Sequence, residues 1–323
     1  MYVVSIIGVG QLGSRHLQAI ARIALPLTIY VVDVSEQSLK IARERFEEIE
    51  GYQNKNIFYV RKIADLPVEL DVAVVASNSL NRWSIIKQLL SEKAVRYLIL
   101  EKFLFPKLDE YDHAAQLLKD KGVKAWVNCP RRAMDFYKGL IESIKGNVHF
   151  SVTGANWGLG CNSIHFLDLF SKMTASDVSC CLGNNLDKIL LNSRRHGYVE
   201  FTGSLYLGNE KGDTLELVSY NSGVHPLMIR ISTPDSEWII SETKKEYIHF
   251  AGGNDWQPEK GTFHIPLQSE VGSTIIMDLL QSGRCELTPY EDSQRYHQFL
   301  LNIFIDQYSH ITKIENADLC PIT

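Results

Sequence analysis

A glycine-rich segment near the amino terminus has the spacing of a phosphate-binding turn. Residues 8–17 read GVGQLGSRHL, directly after an apolar run at residues 3–7 and directly before an amphipathic helical pattern. Gly8 permits a tight turn from strand to helix, Gly10 lets the backbone approach a phosphate, and Gly13 allows the helix to pack closely on the strand. The free amides at the helix start then face the phosphates. The segment predicts a dinucleotide site whose loop residues are Gly8, Gly10, Gln11, Leu12 and Gly13.

An acidic residue follows at the distance expected of a ribose partner. The strand pattern at residues 27–32 ends in Asp33, about 20 residues beyond the glycines. A carboxylate there accepts hydrogen bonds from the ribose hydroxyls and would repel a 2′-phosphate, which favours NAD over NADP. The glycines alone are also compatible with an ordinary turn of an α/β protein, but strand, helix and acid together favour the nucleotide site.

Length, charge and hydropathy restrict the class of protein. The chain has 323 residues, enough for two domains that each bury a core. The net charge of −5, with both signs spread along the chain, offers no basic stripe, and we expect no nucleic-acid partner. The apolar runs are shorter than the roughly 20 residues of a membrane span, and the amino terminus enters a strand at once. We therefore expect a soluble, cytoplasmic protein without a signal peptide.

The six cysteines predict neither a metal site nor disulfides. They form no CxxC pair and have no histidines at zinc-finger spacing. Cys180 and Cys181 are adjacent, which disfavours both a local disulfide and joint chelation. We expect free thiols in a reducing cytoplasm and no structural metal.

The first part of the chain alternates strand and helix patterns. Residues 71–76, DVAVVA, are typical of a strand buried on both faces of a parallel sheet. The strand at residues 96–100 ends at Glu101 and Lys102, at the edge where open α/β sheets bind their ligands. Right-handed crossovers then give a doubly wound parallel sheet. We assign residues 1–122 to an NAD-binding Rossmann domain.

The second part changes to a period of two. From residue 147, Val148, Phe150 and Val152 alternate with polar residues, and similar runs follow without intervening helices. We assign residues 123–323 to an α+β domain with an open antiparallel sheet for substrate binding and oligomerisation. Helices at residues 164–173 and 272–281 are expected to pack on one face of this sheet, and the other face needs a cover.

These motifs resemble one known family. The pattern GxGxxGxxH that ends in His16, the pair Glu101-Lys102 and the segment 158–169 are similar to the glucose-fructose oxidoreductase, inositol dehydrogenase and rhizopine-catabolism (Gfo/Idh/MocA) family. The resemblance runs from residue 1 to about residue 168 and implies an NAD(P)-dependent oxidoreductase acting on sugars, cyclitols or sugar nucleotides. It also implies a homodimer or homotetramer formed through the second sheet, and cofactor contacts from Ser77, Asn78, Glu101 and Lys102.

Three positions depart from the family pattern. Phe103 replaces a proline that often follows a cis peptide bond, and Arg82 stands where a histidine is common. Cys161 replaces an aspartate four residues before His165, which removes a hydroxyl acceptor. These departures motivate a second hypothesis, a catalytically silent NAD-binding sensor or regulator. A hydrolase that uses NAD internally is a third.

Oxidation of an alcohol needs a group that takes the hydroxyl proton while a hydride leaves. Lys102, at a strand end, and His165 are the predicted acid/base pair, and both fit the family likeness. Asp168 shares a helix face with His165 at i and i+3, so it could orient the ring or contact substrate. A surface lysine paired with Glu101, and a core histidine satisfied by the backbone, are the alternative interpretations.

Further residues are predicted to contact the substrate. Arg131 or Arg132 could hold a carboxylate or phosphate through a bidentate contact, or form a solvated helix start. Trp157 offers an apolar face for a pyranose ring, or belongs to the core. Asn156 and Asn162 are predicted polar contacts. Together these residues predict an NAD-dependent dehydrogenase acting on the CH–OH group of a sugar-like small molecule.

Overall fold

The computed structural model describes residues 1–50, 55–315 and 317–323. The chain forms two compact units, one of Met1–Pro130, Pro266–Arg295 and Thr323, the other of Arg131–Ile265 and Tyr296–Ile322. This division differs from the predicted boundary after residue 122. The last parallel strand of the first sheet, Lys124–Val127, follows that point, and the chain later returns to the first unit.

The described strands and helices fall in two groups that match the change of sequence period. In chain order, the strands are β1 Tyr2–Ile7, β2 Leu27–Val32, β3 Asn56–Val60, β4 Glu69–Val75, β5 Ala94–Leu100, β6 Lys124–Val127, β7 His149–Ala155, β8 Cys180–Leu186, β9 Leu191–Asn192, β10 Val199–Glu200, β11 Gly203–Gly208, β12 Thr214–Tyr220, β13 Met228–Ser232, β14 Ser236–Ser241, β15 Glu246–Ala251, β16 Glu259–Thr262 and β17 Thr288–Pro289. The helices are α1 Gly13–Arg22, α2 Glu36–Glu47, α3 Ser79–Glu92, α4 Asp109–Lys121, α5 Asp135–Ser143, α6 Leu159–Thr174, α7 Gln268–Ser282 and α8 Tyr290–Thr312.

The first unit has the predicted doubly wound sheet. Its strand order is β17-β6-β5-β4-β1-β2-β3, parallel except for the short β17, which pairs antiparallel with β6. Val72, Ala73 and Val74 of β4 are fully buried, as expected for a central parallel strand with helices on both faces. β1 lies between β4 and β2, so the loops that follow β1 and β4 meet at the topological switch point of the sheet.

One helix expected on the second sheet belongs to the first unit instead. α7, which contains the predicted helix 272–281, packs against α1, so that expectation is wrong. The reason is a close approach at Gly272, where a Cβ atom would lie 2.9 Å from the Cβ of Ala19. Only a glycine lets the two helices come this near.

The second unit contains the predicted open sheet. Its strand order is β16-β15-β14-β13-β7-β12-β11-β8, and all neighbours are antiparallel except β7 and β12. α6 packs on one face, where Phe150 of β7 contacts the rings of Phe166 and Phe170. Pro321 and Ile322 pack within this unit, because the Val199 N–H donates to the Pro321 carbonyl and Ile322 is buried. The described helices include none that is long and apolar enough to cross a membrane.

Candidate functional site

The loop between β1 and α1 is shaped by two glycines that touch. The Gly8 N–H donates to the Val32 carbonyl at 2.8 Å, and Gly8 has a φ of 85°. A Cβ atom on Gly13 would lie 1.9 Å from the Gly8 carbonyl oxygen. At Gly10 nothing in the described part of the chain would meet an added Cβ within 4 Å. The loop is therefore tightly packed where Gly8 meets Gly13, and its backbone is open at Gly10. A diphosphate that binds to the backbone amides requires this open space.

Asp33 holds this loop from the end of β2. Its Oδ2 accepts a hydrogen bond from the Val9 N–H at 2.8 Å, and its Oδ1 accepts one from the Ser35 N–H at 2.8 Å. Each carboxylate oxygen has further acceptor capacity for a hydroxyl. The predicted ribose acid thus also fixes the loop, and this cradle fits the ribose and diphosphate of a dinucleotide.

The loops after β4 and β5 are tied together by a buried arginine. Arg82 is 1 % exposed and donates to the carbonyls of Ser77, Phe103 and Leu104, the last at 2.7 Å. Asn78 caps α3 through its side-chain oxygen, which accepts from the Asn81 N–H at 3.2 Å. Arg82, which departs from the family pattern, therefore connects the loop after β4 to the loop after β5 at the sheet edge predicted to bind the cofactor.

Glu101 lies in a buried polar cluster behind Lys102. Its Oε1 is 2.5 Å from His16 Nε2 and accepts a hydrogen bond from Asn128 at 2.6 Å. Burial acts to raise the pKa of Glu101, but His16, Asn128 and the nearby Arg82 charge outweigh it and hold the pKa below its usual value. The half-buried Lys102 follows, and its peptide bond to Phe103 is cis.

In the second unit, a carboxylate caps the start of α6. Glu200 accepts hydrogen bonds from the N–H groups of Gly160 at 2.9 Å and Cys161 at 3.0 Å. Burial raises the pKa of Glu200, although these contacts act in the opposite direction. The acid that the family places at position 161 is absent, and a carboxylate from β10 lies against the backbone of that same position.

The two predicted catalytic residues of α6 differ in burial. Asp168 is 1 % exposed and accepts from Arg132 Nη1 at 3.3 Å, whereas His165, one turn earlier, is half-buried. Asp168 therefore pairs with a cation of the same chain. A contact between Asp168 and a substrate remains a prediction.

Arg131 has a different internal partner. It makes a bidentate pair with Glu242, at 2.8 and 2.7 Å, and its guanidinium lies 4.5 Å from the ring centre of Phe166. Tyr137 donates to the same carboxylate at 2.6 Å. Burial acts to raise the pKa of Glu242, but Arg131 and Tyr137 keep it below its usual value. A substrate anion would have to compete with this pair for Arg131.

The remaining predicted substrate residues cluster before α6. The Trp157 indole N–H donates to the Val218 carbonyl at 2.8 Å, and its ring meets Phe166 edge-on. Asn162 donates to the Trp157 carbonyl at 2.8 Å. Asn156 is exposed with a φ of 49°. Trp157 is thus half-buried, and its contacts with Val218 and Phe166 fix the orientation of its ring. Asn156 lies at the surface.

The predicted residues separate between the two units. The glycine loop, Asp33, Ser77, Asn78, Glu101 and Lys102 lie in the first, and the predicted substrate residues with His165 and Asp168 lie in the second. The pairing of Lys102 with His165 therefore stays a prediction. Among the described residues no group of three or more His, Cys, Asp or Glu side chains could hold a metal ion.

Comparison with family models identifies the first unit. Residues 3–129 match the model of the Gfo/Idh/MocA oxidoreductase family, NAD-binding Rossmann fold. This segment is a Gfo/Idh/MocA NAD-binding domain. The resemblance expected from the glycine motif and Glu101-Lys102 is confirmed. A search of curated protein sequences finds no match.

Solved structures share the fold of this chain along nearly its whole length. UDP-N-acetylglucosamine 3-dehydrogenase from Acidithiobacillus ferrooxidans has a TM-score of 0.72 at 13 % identity, over 94 % of this chain and 96 % of that one. Biliverdin reductase from Synechocystis, in complex with biliverdin and NADP⁺, has 0.72 at 13 %, over 94 % and 98 %. A super-repressor mutant of Gal80p from Saccharomyces cerevisiae has 0.71 at 13 %, over 97 % and 96 %. At this identity the likeness shows the fold alone.

Several residues around the candidate site have no counterpart among the sequence-based predictions. Glu200 and Glu242 contact Cys161 and Arg131 from 39 and 111 residues away in sequence. No local pattern marks either acid, because each contact depends on how the fold brings distant segments of the chain together. The contact of His16 with Glu101 could have been inferred, since both belong to the family motifs.

Proposed function

We propose that this protein is an NAD-dependent oxidoreductase that transfers a hydride between nicotinamide and a hydroxyl or keto group of a sugar, cyclitol or sugar nucleotide. The observation that carries the proposal is the cradle of the first unit, in which Asp33 Oδ2 lies 2.8 Å from the Val9 amide beside the open backbone at Gly10. The family of residues 3–129 supports redox chemistry. The fold shared with a sugar-nucleotide dehydrogenase supports the substrate class.

The acid at position 33 favours NAD over NADP. A 2′-phosphate would bring a second negative charge against the Asp33 carboxylate, with a repulsion of about 1–4 kcal/mol at contact distance. The prediction is tested by calorimetric titration with both coenzymes. Asp33→Ser should weaken NAD binding and narrow the difference between the two, and equal wild-type affinities would contradict the assignment.

The predicted chemistry divides between the two units. When bound, the nicotinamide ring accepts or donates the hydride. The His165 imidazole takes the hydroxyl proton, and the Lys102 ammonium donates a hydrogen bond to the same substrate oxygen. Asp168, held by Arg132, orients the His165 ring or contacts the substrate. Arg131, Asn156, Trp157 and Asn162 are the proposed substrate contacts.

The test of the enzyme is a screen of sugars, cyclitols and nucleotide sugars with NAD and with NADH, followed by absorbance at the reduced-nicotinamide band and by thermal shift in parallel. Lys102→Met should abolish turnover and leave the NAD dissociation constant within about threefold, because the lysine acts mainly on the substrate oxygen in the transition state and the other predicted coenzyme contacts remain. Unchanged turnover in this variant would remove Lys102 from the mechanism.

A catalytically silent sensor of the same fold is the second candidate. Two observations favour it: Cys161 stands where the family often has an aspartate and its amide is taken by Glu200, and Arg131, a predicted substrate contact, is engaged by Glu242. The fold is also that of Gal80p, whose super-repressor mutant has been solved. A sugar that raises the melting temperature in the presence of NAD, without any absorbance change, would support the sensor.

We also propose a homodimer or homotetramer formed through the second sheet, in the cytoplasm, where the six cysteines remain thiols. The face opposite the buried Ile229 and Ile240 has a hollow of about 460 Å³ lined by Met228, Ile239 and Ile248. Light scattering on the wild type and on Ile239→Lys tests this. A monomeric wild type would contradict the assembly.

A further inference from the structure

A cation from α2 lies beside the cofactor loop of the first unit. Arg45 Nη2 donates to Gln11 Oε1 at 2.8 Å, and Nη1 donates to the Ser14 hydroxyl and, at 3.4 Å, to the Gln11 carbonyl. Ser14 in turn donates to the Gln11 carbonyl at 3.1 Å. The guanidinium is therefore fixed against the turn that begins α1, through the loop residue next to Gly10.

This position is electrostatically unusual for an arginine. The start of a helix carries the positive end of its dipole, where acids are favoured and cations are not. The first turn of α1 has no acidic residue. Within the described ranges Arg45 forms no ion pair, and Asp33 binds the loop from the strand side at Val9. The helix dipole and the Arg45 guanidinium thus together produce a positive potential on the helix side of the loop. A bound anion would neutralise this potential.

We propose that Arg45 is a positioning residue for the coenzyme diphosphate, through its charge and through its hold on Gln11. The backbone amides of the loop carry only partial charges, whereas the diphosphate carries about two negative charges. A fixed guanidinium beside the turn adds long-range attraction, and the anchored Gln11 side chain leaves the backbone at Gly10 open. This inference rests on the NAD site proposed above.

The chain supplies a matched control for the test. Arg43 lies on the same helix, and its guanidinium lies 4.5 Å from the ring centre of Tyr59 and not against the loop. Arg45→Gln and Arg43→Gln change the net charge equally. Arg45→Lys keeps the charge and loses the planar fork. The three variants replace two partly or fully exposed side chains of α2, and melting temperatures report any loss of fold.

The measurement is the dissociation constant of NAD and of ADP-ribose by calorimetry. At low salt Arg45→Gln should bind both about three- to tenfold more weakly, with Arg43→Gln within about twofold of the wild type. At about 500 mM salt, where the Debye length falls to roughly 4 Å, the Arg45→Gln loss should shrink to about twofold. Arg45→Lys should retain most of the affinity.

Three results would overturn the inference. Equal losses in Arg43→Gln and Arg45→Gln would assign the effect to net charge. A loss that is independent of salt and accompanied by a lower melting temperature would assign Arg45 to the fold alone. Unchanged affinity in Arg45→Gln would remove it from the site. A wild type that binds neither ligand would refute the proposed function itself, so the two failures are distinct.

Discussion

Two alanine substitutions in the same loop should separate ligand contact from fold stability. At Gly13 a Cβ atom would lie 1.9 Å from the Gly8 carbonyl oxygen and 2.9 Å from its carbon. Both partners are backbone atoms, so no rotamer change relieves the overlap, and α1 must move by more than 1 Å relative to β1. We expect Gly13→Ala to cost about 3 kcal/mol, the upper end of ordinary overpacking, and to lower the melting temperature by about 6–12 °C.

At Gly10 the expected result is the reverse. No described atom lies within 4 Å of an added Cβ, and the position has no positive φ, so Gly10→Ala should fold with a stability within about 0.5 kcal/mol of the wild type. The methyl group would instead occupy the space of the diphosphate. Each charge-assisted hydrogen bond lost to the backbone amides weakens binding by about 1.5 kcal/mol, so the NAD dissociation constant should rise at least about tenfold.

The assays are thermal unfolding without ligand and calorimetric titration with NAD. Gly139→Ala is the control, because Gly139 lies in α5 of the other unit and also has no described atom near an added Cβ. It should leave NAD affinity unchanged and raise stability slightly, as alanine does within a helix. Normal NAD affinity in Gly10→Ala would refute the placement of the diphosphate, and an unchanged melting temperature in Gly13→Ala would refute the tight approach of α1.

Three further predictions concern buried charges. Arg82→Met should lower the melting temperature by about 6 °C or more, because the buried carbonyls of Phe103 and Leu104 and the partly buried carbonyl of Ser77 lose their donor. Arg82→Lys should recover only part of this loss, and a wild-type melting temperature in Arg82→Met would contradict the bridging role of Arg82. For Glu200, burial raises the folded pKa, so folding favours the protonated form and wild-type stability should fall as pH rises through that pKa. Urea unfolding from pH 5 to 8 should show that the free energy of unfolding falls less steeply with pH in Glu200→Gln than in the wild type. Parallel curves for the two proteins would argue against the raised pKa of Glu200. The folded pKa of Glu242 is lowered, so its stabilising contribution is present above its ordinary pKa and is lost as pH falls. Arg131→Met should therefore lower the free energy of unfolding more at pH 7 than near pH 3. An equal loss of stability at both pH values would exclude the Arg131–Glu242 ion pair as the source of that loss.

The parts of the fold that follow from local pattern were predictable from sequence. The glycine loop, the acid after β2 and the alternation of strands and helices each depend on residues close together in the chain. Helix boundaries are harder to predict. α3 begins at Ser79 because Asn78 caps it, and a single capping residue is a weak signal in a polar stretch of sequence.

Contacts between distant segments were not predictable. The place of α7 beside α1 depends on Gly272, which in sequence is one more small residue in a helical pattern. The arginines at 131 and 132 suggested an anion from outside, whereas the fold supplies Glu242 and Asp168 from its own chain. Charged side chains near a site indicate that a counter-charge exists, and only the topology shows whether it is internal.

The return of the chain at residue 266 has a consequence for biosynthesis. α7, which packs against α1, and β17, which pairs with β6, are synthesised only after the entire stretch from Arg131 to Ile265. The second unit in turn waits for Tyr296–Ile322. A premature stop codon before Arg295 would therefore leave both units incomplete, and expression of residues 1–130 alone should yield aggregate in place of a coenzyme-binding fragment.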